Sequence, residues 1–98
     1  MIDGIILNEK DNVATAVQVL VKGQTARVRR NREEVEIVMT EDIPYGHKFA
    51  VRDIAVGEDI LKYGEVIGRA TQSIANGSHA HVQNIESLRG RGDLKGGK

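Results

Sequence analysis

The chain has no cysteine, no tryptophan, a single proline and only three aromatic residues, Tyr45, Phe49 and Tyr63. Without cysteine there is no disulfide, no iron–sulfur ligation and no thiol nucleophile, and the redox compartment is left open. Three aromatics are too few for the stacking platforms of single-strand nucleic-acid binders. Neither sign of charge is in excess: 14 Lys and Arg balance 14 Asp and Glu, so the total draws the chain to neither nucleic acid nor an anionic membrane. No apolar run approaches the ~20 residues of a membrane helix. The start, Met1-Ile2-Asp3-Gly4-Ile5-Ile6-Leu7, lacks the basic stretch and long apolar core of a signal peptide. A cytoplasmic protein with no nucleic-acid or membrane partner is expected.

Leucine is also scarce, at 5 residues against 11 valines and 10 isoleucines. β-branched side chains lose rotamer freedom in helices and pack well on pleated surfaces, so this ratio predicts an all-β fold. The 11 glycines supply its turns. At 98 residues the chain is one domain, with a core too small to enclose a large cofactor.

Alternation and turn residues predict strands over 4–8, 14–22, 25–30, 33–40, 49–54, 66–71 and 79–85. The segment 14–22 puts Val17, Val19 and Val21 on one face, and in 33–40 Val35 and Ile37 point inward. Asp11-Asn12 reads as a turn pair and Asn31 as a hairpin tip that tolerates the left-handed region. Arg27, Arg29, Arg30 and Arg32 cluster near that tip, but Glu33, Glu34 and Glu36 neutralise them, so a solvated hairpin with cross-strand ion pairs accounts for both sets. Tyr63 reads as a half-buried packing aromatic. An internal echo stands in the middle: Ala50-Val51-Arg52-Asp53-Ile54-Ala55-Val56-Gly57 returns as Ala70-Thr71-Gln72-Ser73-Ile74-Ala75-Asn76-Gly77. A glycine at the end of each copy suits a tight turn with positive φ.

All three histidines flank this echo. His79 and His81, two apart on an extended strand, point the same way and offer two nitrogens to a metal; iron, manganese and zinc all take imidazole. Two ligands do not complete a site, and surface or hydrogen-bonded structural histidines are the commoner reading of a bare His-x-His. His47 is a third ligand only if the two ends of the segment 43–84 meet. Lys48 beside His47 sets a cation next to a titratable base, a pairing suited to a substrate carboxylate and a proton transfer. No nucleophile elbow, phosphate loop or carboxylate pair at catalytic spacing is visible.

Several stretches occur together in order: Asp11-Asn12-Val13-Ala14-Thr15-Ala16, Ile43-Pro44-Tyr45-Gly46-His47-Lys48, Lys62-Tyr63-Gly64, Ile67-Gly68-Arg69-Ala70 and His79-Ala80-His81-Val82-Gln83-Asn84. This set resembles the SAF domain of the altronate/galactarate dehydratase family. The resemblance implies a β-clip fold of short bent strands over 1–88; the Gly-rich basic stretch 89–98, with a single apolar residue, is expected from its composition to be a flexible tail. In that family the domain is the N-terminal segment of a long enzyme or a separate small subunit. The resemblance therefore implies a large catalytic dehydratase subunit as partner, a sugar-acid substrate, and a divalent metal, iron or manganese, in the assembled enzyme. It marks His47, Lys48, His79, His81 and Asn84 as facing the active site. Of these, His47, Lys48, His81 and Asn84 are expected to be catalytic, Lys48 to bind substrate, and His79 and His81 to hold a metal. Arg52, which also reads as a surface partner of Asp53, is a further candidate for substrate binding. Many relatives carry histidine where this chain has Gln83. The related sulfolactate sulfo-lyases, with a small subunit of the same kind, are one alternative, and a stand-alone carbohydrate- or anion-binding module is another.

Overall fold

The computed structural model describes residues 2–87, and among these there are nine strands and no helix. The expected tail, 89–98, lies outside the described residues. The strands are β1 (Gly4–Ile6), β2 (Val13–Ala16), β3 (Thr25–Arg30), β4 (Glu33–Val38), β5 (Lys48–Ala50), β6 (Asp59–Lys62), β7 (Glu65–Ala70), β8 (His79–Ala80) and β9 (Ile85–Ser87). Six of them form one sheet in the order β4-β3-β1-β2-β5-β8, and the other three form a second, β6-β7-β9. The all-β expectation is borne out.

Most strands are short because the chain repeatedly turns back on itself in one local device. Its clearest form is the internal echo. Ile54 and Ile74 donate to each other's carbonyls, both at 2.8 Å, while the Gly57 amide donates to Ala70 O and the Gly77 amide to Ala50 O, again both at 2.8 Å. The two copies thus clasp each other reciprocally. Earlier in the chain the same clasp recurs around Leu20 and Ile43, with Gly23 donating to Met39 O and Gly46 to Ala16 O. All four glycines, Gly23, Gly46, Gly57 and Gly77, hold φ between 84° and 90°, where a Cβ would be strained. The clasp around 16–24 ends the predicted strand 14–22 early, at Ala16. Leu20 is fully buried there, and Val17, Val19 and Val21 face solvent.

The hairpins follow their turn residues. Asn31 takes φ 55° at the β3–β4 tip, and the pair Tyr63-Gly64, at φ 55° and 81°, makes a type I′ turn between β6 and β7. That turn leaves Tyr63 about half exposed, with the Lys62 ammonium 5.1 Å from its ring centroid. At the first tip Arg27 and Glu34 form an ion pair at 3.8 Å, a contribution of about 0–1 kcal/mol at such exposure.

Of the expected turn pair, Asp11 closes a turn with Asn8: its amide donates to Asn8 O at 3.0 Å and its Oδ2 accepts from the Asn8 amide at 3.2 Å. Asp11 and Asn12 are also buried and tie the sheets together. Asp11 accepts from the Gly64 amide (2.8 Å), while the Asn12 side chain donates to Asp59 O and accepts from the Leu61 amide, both at 2.8 Å. A buried carboxylate or amide is tolerated when its hydrogen bonds are made, and these bonds fix the β6–β7 hairpin to the end of β2.

The core divides in two. Ile6, Ala14, Leu20, Val28, Ile37, Met39, Ile43 and Phe49 fill one part, and Val13, Ala50, Ile54, Ile60, Ala70, Ile74 and Ala80 fill the other. Strand β5 lies between them, giving Phe49 to the first and Ala50 to the second. Both edges of the candidate site are therefore anchored.

Candidate functional site

Strands β5 and β8 pair antiparallel with Lys48 opposite Ala80 and Phe49 opposite His79. His47 immediately precedes β5 and His81 immediately follows β8, so the two stand at the same end of this ladder. Directly opposed side chains share a face, so Phe49 and His79 lie on one face of the pair, and His47 and His81 converge with His79 through their rings. The rings are nearly parallel: His47 and His81 stack with centroids 4.0 Å apart, His47 and His79 at 5.1 Å, and His79 and His81 at 5.5 Å. The ends of the 43–84 segment do meet, and they meet through their histidines.

The predicted strand 79–85 is shorter than expected. Only His79 and Ala80 are in β8, and the chain bends at His81. Asn84 makes that bend: its Oδ1 accepts from the His81 amide and its Nδ2 donates to His79 O, both at 2.9 Å. The side-chain amide expected to serve catalysis is thus committed to holding two histidines at the correct backbone geometry.

Hydrogen bonding joins the rings in a line. Gln83 Nε2 lies 3.2 Å from His79 Nδ1, and His79 Nε2 lies 2.9 Å from His47 Nδ1. With the Gln83 amide donating, His79 carries its proton on Nε2 and passes it toward His47 Nδ1. His81 Nδ1 is buried and has no hydrogen-bond partner. Burial, and next the neighbouring His47, push the pKa of both His79 and His81 below the ordinary histidine value; Lys48 adds to this for each, and Glu41 opposes it at His79. Both rings accordingly favour the neutral form, which is the form that accepts a proton or binds a cation.

Lys48 does not sit side by side with His47, because successive residues on a strand face opposite ways. It lies on the face of the second core, where Lys48, Ile67, His81, Val82, Ile85 and Ser87 line a cavity of about 140 Å³. His81 belongs to both places: its ring stacks on His47 and borders the Lys48 cavity. Desolvation, followed by repulsion from Lys62, lowers the Lys48 pKa. Arg52 is not drawn into this cluster. Its guanidinium donates to the carbonyl of Lys10 at 3.3 Å.

The three imidazoles offer nitrogen atoms within 4.8 Å of one another. With neutral rings and one nitrogen buried and unpartnered, this donor set suits a borderline divalent transition ion and not magnesium or calcium, which prefer oxygen. The result is a partly buried patch of three histidines beside one cavity-lining lysine.

Comparison with known proteins agrees with the fold. The model of the altronate/galactarate dehydratase SAF domain matches residues 2–88, and the chain belongs to this family. It is 37% identical over 91 residues to the (2R)-sulfolactate sulfo-lyase subunit alpha of Chromohalobacter salexigens, covering 90% of this chain and 97% of that one. It is 39% identical over 83 residues to the altronate dehydratase of Escherichia coli, covering 85% of this chain but 16% of the enzyme. With the galactarate dehydratase of the same organism it shares 40% identity over 74 residues, 76% of this chain and 13% of that protein. The chain thus spans nearly all of one relative and a small fraction of the others. Among the described residues no helix is long and apolar enough to cross a membrane.

Proposed function

We propose that this chain is the small component of a two-part lyase that eliminates a β-substituent from a hydroxy acid, and that the His47, Lys48, His79 and His81 cluster faces the reacting carbons. The observation that carries this reading is the convergence of three histidines and a cavity-lining lysine, at the segments that match the family, on a module too small to enclose a substrate. The larger partner supplies the rest of the site.

The reaction divides into a proton removed from the carbon next to the carboxylate, formation of the Cα–Cβ double bond, and departure of the β-substituent with the bond electrons. The resulting enol tautomerises to a 2-keto acid. Lys48 pairs with the substrate carboxylate, and its ammonium stabilises negative charge as the proton leaves. His81, bordering both the Lys48 cavity and the histidine stack, takes up or returns a proton there. The Gln83–His79–His47 hydrogen bonds fix the tautomers and orientation of the His79 and His47 rings. Asn84 positions His79 and His81 through the backbone. A divalent iron or manganese ion of the assembled enzyme would be held here by His47, His79 and His81, and would supply Lewis-acid polarisation of the departing group or carboxylate.

Two leaving groups fit this chemistry. Dehydration of a sugar acid such as altronate or galactarate is the first reading. Release of sulfite from sulfolactate is the second, favoured by the near-complete coverage of a sulfo-lyase alpha subunit. The experiment is to recover the large partner by affinity capture on the tagged chain, then to assay the pair for 2-keto acid from hexonates and hexarates and for sulfite from sulfolactate. Formation of either product only when both components are present supports the reading. Failure to recover a large lyase-like partner, with sugar-acid binding by the chain alone, favours a stand-alone binding module.

A further inference from the structure

We propose that the cavity beside the tip of the β3–β4 hairpin is a binding site for a small organic anion, with Arg30 holding its carboxylate or phosphate group. None of its residues belongs to the histidine patch, and the proposal does not rest on the lyase reading.

Strand β3 alternates, and Ala26 and Val28 on its inner face are fully buried. Arg30 continues that period of two, and its parallel partner Ile6 is buried as well. An arginine thus occupies an inward position at the end of the first core. Its Nε is buried and has no hydrogen-bond partner. A buried donor left without an acceptor is costly, and a guanidinium is a forked donor matched to two oxygens of a carboxylate or phosphate. Glu33 stands directly opposite Arg30 in the β3–β4 register, yet among the described residues neither Arg30 nor Arg32 forms an ion pair.

The space beside these groups is of ligand size. Glu9, Arg30, Asn31, Arg32 and Glu33 line a cavity of about 640 Å³, within the range of small-molecule sites. A second cavity of about 350 Å³ shares Glu9 and Asn31 with it and adds Lys10. Three cations, Lys10, Arg30 and Arg32, thus meet two carboxylates, Glu9 and Glu33, a local positive excess in a chain whose total charge is zero. Both carboxylates are exposed and oppose an anion, so affinity comes from the guanidinium groups and is limited by Glu9 and Glu33.

The test is a titration of the ¹⁵N-labelled chain with inorganic phosphate and, separately, with succinate, at constant ionic strength set by chloride. Two-dimensional NMR reads the arginine Nε–H signals and the backbone amides. Saturable shifts are expected at the Arg30 Nε–H and at the Asn31 and Arg32 amides, and the tighter probe identifies the group recognised. The Arg27 Nε–H, exposed on the other face of the same strand, and the His79 and His81 amides are expected to stay in place. R30Q is expected to weaken binding about 10–100-fold, the usual effect of losing a hydrogen bond to a charged group. E9Q is expected to tighten it and R27Q to leave it unchanged. Should R30Q unfold, R32Q, at the exposed tip, takes its place and is expected to weaken binding as well. No saturation with either probe, or equal shifts at Arg27, Arg29 and Arg30, overturns the site.

Discussion

The rings of His47 and His81, which stand at the same end of the β5–β8 ladder, stack at 4.0 Å with an interplanar angle of 19°. They are far apart in the sequence, and what joins them is the clasp of the two echoed segments. Ala50 donates to Ser78 O and Gly77 to Ala50 O immediately beside the ladder. The site is therefore only as well formed as the turns that set this register.

That dependence separates two glycines in equivalent positions. A Cβ at Gly77 would meet Val38 O at 2.2 Å, whereas at Gly57 it would meet nothing within 4 Å; both hold positive φ, at 90° and 86°. Gly57→Ala is expected to cost about 1–2 kcal/mol from the left-handed backbone alone. Gly77→Ala must also push strand β4 away, and is expected to abolish cooperative folding. Urea unfolding monitored by far-ultraviolet circular dichroism distinguishes them; equal midpoints would refute the packing difference.

Asn84→Ala removes the two hydrogen bonds that close the bend after β8. At about 0.5–1.5 kcal/mol per bond, the expected loss is about 1–3 kcal/mol in chemical denaturation. A purely catalytic Asn84 would leave stability unchanged.

Because the folded state holds His79 and His81 below their ordinary pKa, it resists protons that the unfolded chain accepts. The associated stability is complete above the unfolded value of about 6.5 and is lost as pH falls through that value toward the folded one. The urea midpoint is expected to drop between about pH 7.5 and 5, and a double variant, H79Q/H81Q, to show a flatter profile. An unchanged slope in the variant would contradict this origin.

Lys48 presents the opposite trade. Its charge is disfavoured by burial against Ile67 and Ile85 and by Lys62, so Lys48→Met is expected to raise the melting temperature. A gain of 1 kcal/mol corresponds to roughly 4–8 °C for a domain of this size. The same variant is expected to lose substrate binding in the assembled enzyme. A lower melting temperature would show that the amine stabilises the fold.

The sequence disclosed the fold class through its valine and isoleucine content, and it disclosed one clasp through the repeated Ala, Ile-Ala and Gly of 50–57 and 70–77. The other clasp was hidden. Around Leu20 and Ile43 only a large apolar residue three places before a glycine is common to both halves, and the alternating Val17, Val19 and Val21 mimic a strand while facing water. Asp11 makes the local turn with Asn8 that its sequence announces, but the other partners of Asp11 and Asn12, at Asp59, Leu61 and Gly64, are about fifty residues away and leave no local signal. At the site, the pairing of His79 with His81 follows from strand periodicity. The arrival of His47 depends on which strand lies beside β8, a tertiary fact. Adjacency also suggested that His47 and Lys48 act together; the pleat separates them, and His81 bridges the gap.

The most direct test is turnover by the chain reconstituted with its captured large partner, comparing wild type with His47→Ala. His47 is only partly buried and outside both cores, so the variant is expected to fold and to bind the partner normally. Its rate of product release is expected to fall about 10²–10⁴-fold, the usual contribution of a positioned proton-transfer group. Wild-type turnover in that variant, with the partner bound, would contradict the account.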